Sequence, residues 1–313
     1  MDPLSDLLAT LRPSGAVFYG GRVPAPWGLA HPAGPAAFHA VLGGPCHVEL
    51  GGGLGGAVLG PGDLALLPRG HAHALRDAPG TAALPLDAFR ARVETGPACG
   101  AAEPADGVTE LVCGELRFEP GEAHPLLDAL PPLVVVRAGA AGRVPWLDHT
   151  LSFLACEARS GRPGASMLMA HLASVLFIHA VRAHLAEADA GDGAGGDGAP
   201  ARSVLVALRD PGVAAALGAF HREPGEPWTV DTLARHAGMS RTAFAERFRA
   251  LVGEPPLTYA TRWRMHHAAR LLRTERIALA DIAARVGYGS EAAFNRTFKR
   301  WMRVPPGRYR RAA

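Results

Sequence analysis

Residues 228–300 hold one short pattern written twice. The first copy runs Leu233-Ala234, Gly238-Met239-Ser240, Phe244 and Phe248; the second runs Ile282-Ala283, Gly287-Tyr288-Gly289-Ser290, Phe294 and Phe298. The two serines and the two Phe pairs are each offset by 50 residues, so the stretch is an internal duplication. Each copy has the grammar of a helix-turn-helix. A short helix buries its apolar residues, Gly supplies a left-handed turn that a Cβ resists, and Ser caps the next helix by accepting from its free N–H groups. Phe at i and i+4 buries one face of that second helix. The opposite face carries Arg241, Thr242, Ala245 and Glu246 in the first copy and Glu291, Ala292, Asn295, Arg296 and Lys299 in the second. A helix fits the major groove of DNA, and the side chains of its first turns reach base edges.

A joiner lies between the copies. After Gly253-Glu254-Pro255-Pro256, residues 257–272 place Leu257, Tyr259 (or Ala260), Trp263, Ala268, Leu271 and Leu272 on a helical stripe, leaving Arg262, Arg264, Arg270 and Arg273 for solvent or phosphate. Charge follows the same division. From Val213 onward there are 18 Arg and Lys against 8 Asp and Glu, and before it 14 against 21, so the formal net charge of +3 hides a basic end on an acidic remainder. That asymmetry is the footprint of one nucleic-acid-binding domain. A plain helical bundle explains the periodicity but neither the duplication nor the charge.

The C-terminal third resembles the DNA-binding domain of AraC/XylS-type bacterial transcription regulators. The resemblance is carried by Ala237-Gly238-Met239-Ser240-Arg241, Gly253-Glu254-Pro255-Pro256, Arg262-Trp263-Arg264-Met265, Val286-Gly287-Tyr288, Ser290-Glu291, Phe298-Lys299-Arg300 and Pro305-Pro306. It implies base reading by Thr242, Glu246, Glu291, Asn295 and Arg296, with Arg296 suited to bidentate contact with guanine. Phosphate contact is expected of Arg241, Arg247, Lys299 and Arg300. Ala245 and Ala292 are too short to read a base by hydrogen bond. The implied partners are double-stranded promoter DNA and RNA polymerase.

Upstream, short apolar runs at residues 37–42, 47–50, 63–67, 82–89 and 109–118 alternate with Gly and Pro clusters, the pattern of a small all-β barrel. The run Gly62-Asp63-Leu64-Ala65-Leu66-Leu67-Pro68-Arg69-Gly70-His71-Ala72-His73 resembles the second cupin motif, which puts His73 inside a barrel, and His39 stands where cupins place first-motif histidines. The paired first-motif histidines and their following Glu are absent. Together with Trp27, His124-Pro125-Leu126-Leu127 and Leu130-Pro131-Pro132, these features resemble a cupin-bearing branch of the AraC family related to reactive-chlorine and other stress regulators.

The expected architecture is multi-domain. Residues 1–132 form an all-β cupin-like sensor, 143–188 an α-helical hairpin for homodimerisation, 189–201 a flexible Gly/Asp linker, and 204–313 an all-α double helix-turn-helix domain. His39, His73 and Cys113 are the candidate metal ligands, with His124 or His71 as a fourth and zinc as the metal. A lone strand His is more often a hydrogen-bonded core residue, and a strand Cys more often a small apolar one. Cys113 is also a candidate redox site, since relatives sense oxidants through a cysteine pair; the partner position falls near Gly20-Gly21, where no thiol exists. Cys46, Cys99 and Cys156 are widely spaced and no disulfide framework is expected. The start, Met1-Asp2-Pro3-Leu4, lacks the form of a signal peptide, and the apolar residues 167–185 include His171, His179, Arg182 and His184, so a cytoplasmic protein without a membrane span is expected. The expected function is DNA-binding regulation driven by a small ligand, metal or oxidant; the alternative is a metal-dependent cupin enzyme tethered to DNA.

Overall fold

The computed structural model describes residues 3–11, 13–92, 107–118, 124–139, 146–189 and 202–311. In chain order a helix α1 (Pro3–Leu11) precedes β1 (Pro13–Pro24), β2 (Gly28–His31), β3 (Ala36–Gly43), β4 (Cys46–Leu50), β5 (Gly56–Leu59), β6 (Leu64–Leu67), β7 (His73–Arg76) and β8 (Leu84–Pro85). Then come α2 (Leu86–Arg92), β9 (Val108–Phe118), α3 (Pro125–Ala129), β10 (Val134–Val136), α4 (Trp146–Ser160) and α5 (Ala165–Asp189). The remainder is helical: α6 (Val204–Ala207), α7 (Pro211–Arg222), α8 (Val230–His236), α9 (Arg241–Val252), α10 (Pro256–Thr274), α11 (Leu279–Arg285), α12 (Glu291–Met302) and α13 (Pro306–Arg311).

By contact the chain forms two units, and they do not follow chain order. One consists of residues 13–118 and 130–195; the other gathers residues 1–12 and 119–129 with everything from 196 onward. The segment bearing α1 and that bearing α3 thus belong with the C-terminal helices, against a simple division at residue 132. Leu7 of α1 is fully buried in the same core as Phe220, Phe244 and Trp263. The expected linker at residues 189–201 falls, after Asp189, outside the described residues.

The first unit is a barrel of two five-stranded sheets, ordered β1-β9-β3-β6-β10 and β5-β4-β7-β2-β8. β4 and β7 alternate buried with less buried residues, as a sheet with one wet face must. β6 is buried along its whole length, because α5 packs on the β1-β9-β6-β10 side. Pro68-Arg69-Gly70 makes the turn that leads to His73. Gly70 has a φ of 57°, and a Cβ there would lie 1.8 Å from the Gly34 carbonyl oxygen, so only Gly fits. Residues 82–89, read as a strand, are instead the two-residue β8 followed by α2. Phe89, three residues after Leu86, folds inward against Tyr19 and Trp27, with ring centroids 5.3 and 6.1 Å away. α4 and α5 are the expected hairpin. α5 is long and apolar enough to cross a membrane by composition alone, but Ala173, Leu176, Phe177, Ala180 and Val181 are buried within the unit. Cys156 on α4 is disulfide-bonded, contrary to the expectation from spacing, since separation along the chain does not say which thiols folding brings together.

The second unit contains two helical cores. Phe220, Leu233, Ala234, Phe244, Phe248, Tyr259 and Trp263 belong to one; Met265, Leu271, Ile282, Ala283, Phe294 and Phe298 belong to the other. α10 supplies residues to both. Ser240 and Ser290 cap α9 and α12 by accepting from the Ala243 and Ala293 N–H groups, each at 3.3 Å. Gly287, between α11 and α12, has a φ of 80°, and a Cβ would meet the Gly225 carbonyl oxygen at 2.6 Å. Leu257, placed on the apolar stripe from sequence, is exposed. Arg262 and Arg264 are not left for phosphate. Arg262 donates to Glu254 at 2.6 Å, and Arg264 donates to the Pro224 and Glu226 carbonyls at 2.7 and 2.6 Å.

Candidate nucleic-acid interface and the histidine centre of the barrel

α9 and α12 turn the same face outward. Phe244 and Phe248, like Phe294 and Phe298, point into their cores, which leaves Arg241, Thr242, Glu246 and Arg247 exposed on α9. On α12, Glu291, Ala292, Arg296, Lys299 and Arg300 are exposed, and Asn295 is half-buried. The two Ser caps place the first turn of each helix at this surface, so exposed side chains and helix N-terminal N–H groups lie together. The Asn295 amide leans toward the Glu291 carboxylate at 3.5 Å. Arg241 stands 3.8 Å from Asp231.

Arg247 has a structural task that its sequence position does not announce. Its Nε donates to Asp210 at 2.8 Å, and Asp210 also accepts from the Val213 N–H at 3.0 Å as the cap of α7. Burial works to raise the Asp210 carboxyl, but the Val213 N–H and the Arg247 guanidinium outweigh it and hold the group below its ordinary value. Arg247 therefore ties α9 to the start of α7. Lys299 and Arg300, in the last turn of α12, also complement that helix's dipole.

Inside the barrel unit, the structure brings His39 and His73 together. Their Nε2 atoms share a hydrogen bond of 2.8 Å, and the His73 Nδ1–H donates to the His71 carbonyl at 2.7 Å. The third member is His31, whose ring stacks on His73 with centroids 4.8 Å apart; its Nε2 lies 3.7 Å from the Glu115 carboxylate. Burial, then the charges of His73 and His31, hold His39 well below the ordinary imidazole value, and its Nδ1 is buried with no hydrogen-bond partner. Burial pushes His73 down to about 4, with the hydrogen bond to the His71 carbonyl pulling the other way.

Cys113 does not join this group. It pairs in register with His39 across β3 and β9 but packs fully buried in the apolar cluster with Tyr19, Trp27, Phe89 and Cys46. Burial, with Cys46 beside it, pushes the thiol well above its ordinary value, so it is not a reactive thiolate. His71 contributes its carbonyl rather than its ring, and His124 belongs to the other unit. Among the described residues no three His, Cys, Asp or Glu side chains are arranged to hold a metal ion. The expected His39–His73–Cys113 set is replaced by a hydrogen-bonded imidazole pair with a third ring stacked on it. His31 escaped sequence reasoning because only the β2–β7 register places it opposite His73.

A cupin family profile matches residues 2–186, and a helix-turn-helix profile matches residues 233–312. An AraC-like transcription regulator of Streptomyces lividans is 39% identical over 319 residues, covering 99% of this chain and 98% of its own. The chain belongs to the cupin-bearing AraC-like transcription regulators. RclR of Escherichia coli, described as an RCS-specific transcriptional activator, is 29% identical over 99% of this chain and 97% of its own. The DNA-binding domain of AdpA, solved in complex with a target DNA, is 35% identical and covers 33% of this chain and 92% of that one, with a TM-score of 0.31.

In this AraC-like regulator the two central histidines resist protonation. The unfolded chain takes up protons near pH 6.5 while folded His39 and His73 do so only at lower pH, so their contribution to stability is complete above 6.5 and is lost as the pH falls. Histidine NMR signals of chelator-treated protein are expected to stay flat for both residues from neutral pH down to about 5.5, with the thermal midpoint falling over the same range. A midpoint near 6.5 at either ring would contradict the assigned geometry.

Proposed function

We propose that this transcription regulator reads its operator chiefly through α12, with α9 contributing fewer base contacts, and that the histidine centre of the barrel is where its effector acts. The observation that carries the DNA reading is the matched pair of Ser-capped helices with polar outward faces. Arg296 is exposed in the second turn of α12 and has a fork that matches guanine O6 and N7. Glu291 and Asn295 share its face. On α9, Thr242 and Glu246 are the side chains long enough to reach a base edge, beside the short Ala245. Arg241, Lys299 and Arg300 are suited to phosphate; Arg247 would join them only from its ion pair with Asp210.

Met167, Leu168 and Val175 remain exposed on α5 within the barrel unit. A second copy covering them would give a homodimer presenting two pairs of recognition helices to one promoter and to RNA polymerase.

The barrel is the sensor in this reading. Three imidazoles in an otherwise apolar interior, one with an unpartnered Nδ1, form a polar centre without a packing rationale. Neutral imidazoles suit a divalent transition ion, and His73 already has its Nδ1–H on a backbone carbonyl, the arrangement that orients a ligating ring. His39 and His73 would hold the ion, with His31 and Glu115 nearest to complete the set. The RCS-specific relative suggests an oxidant as a further class of effector, but buried Cys113 offers no thiolate for it.

Two measurements test these assignments. Arg296→Ala should weaken binding to the operator by about 1–3 kcal/mol and relax preference at one base pair; uniform weakening on all sequences would make Arg296 a phosphate contact only. Metal analysis of untagged protein should find about one zinc per chain, lost in His39→Ala and in His73→Ala but kept in Cys113→Ser. Metal-free protein from a chelator-free preparation would make the centre a pocket for an organic effector.

A further inference from the structure

Given α9 as a DNA-reading helix, we propose that Asp210 is a positioning residue for backbone contact. It holds Arg247 by one nitrogen, so that the outer edge of the guanidinium is presented to a phosphate beside the groove that α9 enters.

The ion pair is made at a single point. Arg247 Nε donates to Asp210 Oδ2 at 2.8 Å. Among the described residues no other acceptor meets this guanidinium, so its four Nη–H donors are unengaged. The Arg247 side chain is 53% exposed and that of Asp210 only 11%, which makes the carboxylate the fixed base and the guanidinium the outer end. Asp210 is itself held. Its Oδ1 accepts the Val213 N–H at 3.0 Å as the cap of α7. Burial works to raise the carboxyl, but the Val213 N–H, the Arg247 guanidinium and the Gly212 N–H keep it below its ordinary value, so it is charged at neutral pH. A Cβ on Gly212 would lie 2.7 Å from the Ala237 carbonyl oxygen and 3.4 Å from Asp210 Oδ1, so the start of α7 is seated against the turn that leads into α9.

On α9, Arg247 stands about 100° around the helix from exposed Glu246 and the same step from buried Phe248. It therefore occupies the flank between the reading face and the core. A side chain there meets the wall of a groove, where the phosphates stand, rather than its floor.

The duplication supplies an internal control. Fifty residues on from Arg247 is Thr297, and fifty on from Asp210 is Ala260. The Thr297 hydroxyl donates to the Ala293 carbonyl of its own helix at 3.0 Å. α12 keeps its Ser cap and buried Phe pair without an ion pair at this place, so the motif folds without one. An ion pair with one partner half exposed also contributes little to stability. What it does supply is order, because a long side chain fixed before DNA arrives loses less freedom on binding. Charge favours the same outcome. The N–H groups and dipole at the start of α7 offset the negative charge of Asp210, which leaves the guanidinium its attraction for phosphate.

Full-length protein should be titrated with two duplexes of equal length, one from upstream of its own gene and one unrelated, over a series of potassium chloride concentrations. In Arg247→Ala, binding to both duplexes is expected to weaken several-fold by a similar factor. The slope of log K against log salt should become shallower by about 0.9 per bound subunit, the equivalent of one phosphate contact. Asp210→Asn keeps an oxygen for the Val213 N–H but loses the charge that holds Nε. It should weaken binding to both duplexes several-fold while Arg247 is present, and cause no further loss when combined with Arg247→Ala. That comparison separates positioning from capping, since a lost cap would weaken the double variant as well. An unchanged salt slope in Arg247→Ala, a loss confined to the upstream duplex, equal or tighter binding by Asp210→Asn, or a further loss in the double variant would each overturn the proposal. Any of these, with wild-type protein still binding DNA, sinks the role of Asp210 alone; wild-type protein that binds neither duplex would sink the reading of α9 with it.

Discussion

One helix is buried in two cores at once, and the DNA-binding unit depends on it. The first half of α10 gives Tyr259, Ala260 and Trp263 to the core that carries α9; the second half gives Met265, Ala268, Leu271 and Leu272 to the core that carries α12. An unbroken helix of 19 residues spans about 28 Å at 1.5 Å per residue. Successive major grooves on one face of DNA lie about 34 Å apart. α10, buried in both cores, thus links the core that carries α9 to the core that carries α12. Each is oriented by a Gly turn, a Ser cap and a Phe pair. The arginines expected to stay free on α10 instead staple it: Arg262 to Glu254 and Asp128, Arg264 to two carbonyls.

The barrel unit solves a different problem. Most of its interior is apolar, yet it holds His39 and His73, whose burial makes protonation costly, with the His31 ring stacked on His73. Polar groups persist in such a place when a partner compensates for them. His71 supplies that partner for His73, and His73 for His39; the remaining His39 nitrogen is unsatisfied, which marks the point where something else would act. The same logic, a buried ring nitrogen without a partner, recurs at His221 in the other unit.

The legible parts of the molecule were those specified locally. The Gly238 and Gly287 turns, the Ser240 and Ser290 caps and the two Phe pairs are each a matter of a few consecutive residues, and all fall where the pattern put them. The Gly62 to His73 motif was legible for the same reason. What escaped depends on distant partners. His31 joins the centre through the β2–β7 register, Arg247 is diverted by Asp210 more than thirty residues away, and α3 leaves the barrel's contacts for those of the DNA-binding helices. Residues 82–89 were misread because a short apolar run does not say whether Phe89 is on a strand or on a helix; burial against Tyr19 and Trp27 decided it. Cys113 occupies the expected strand and faces inward, but the fold surrounds it with apolar side chains.

The central claim is that α10 sets α9 and α12 into successive major grooves, and methylation interference on DNA upstream of the protein's own gene tests it most directly. The account predicts two clusters of guanine N7 positions whose methylation blocks binding of a single subunit, centred about 10–10.5 base pairs apart on one face of the duplex. A single cluster, or two clusters on opposite faces, would show that the helices do not read DNA as a rigid pair.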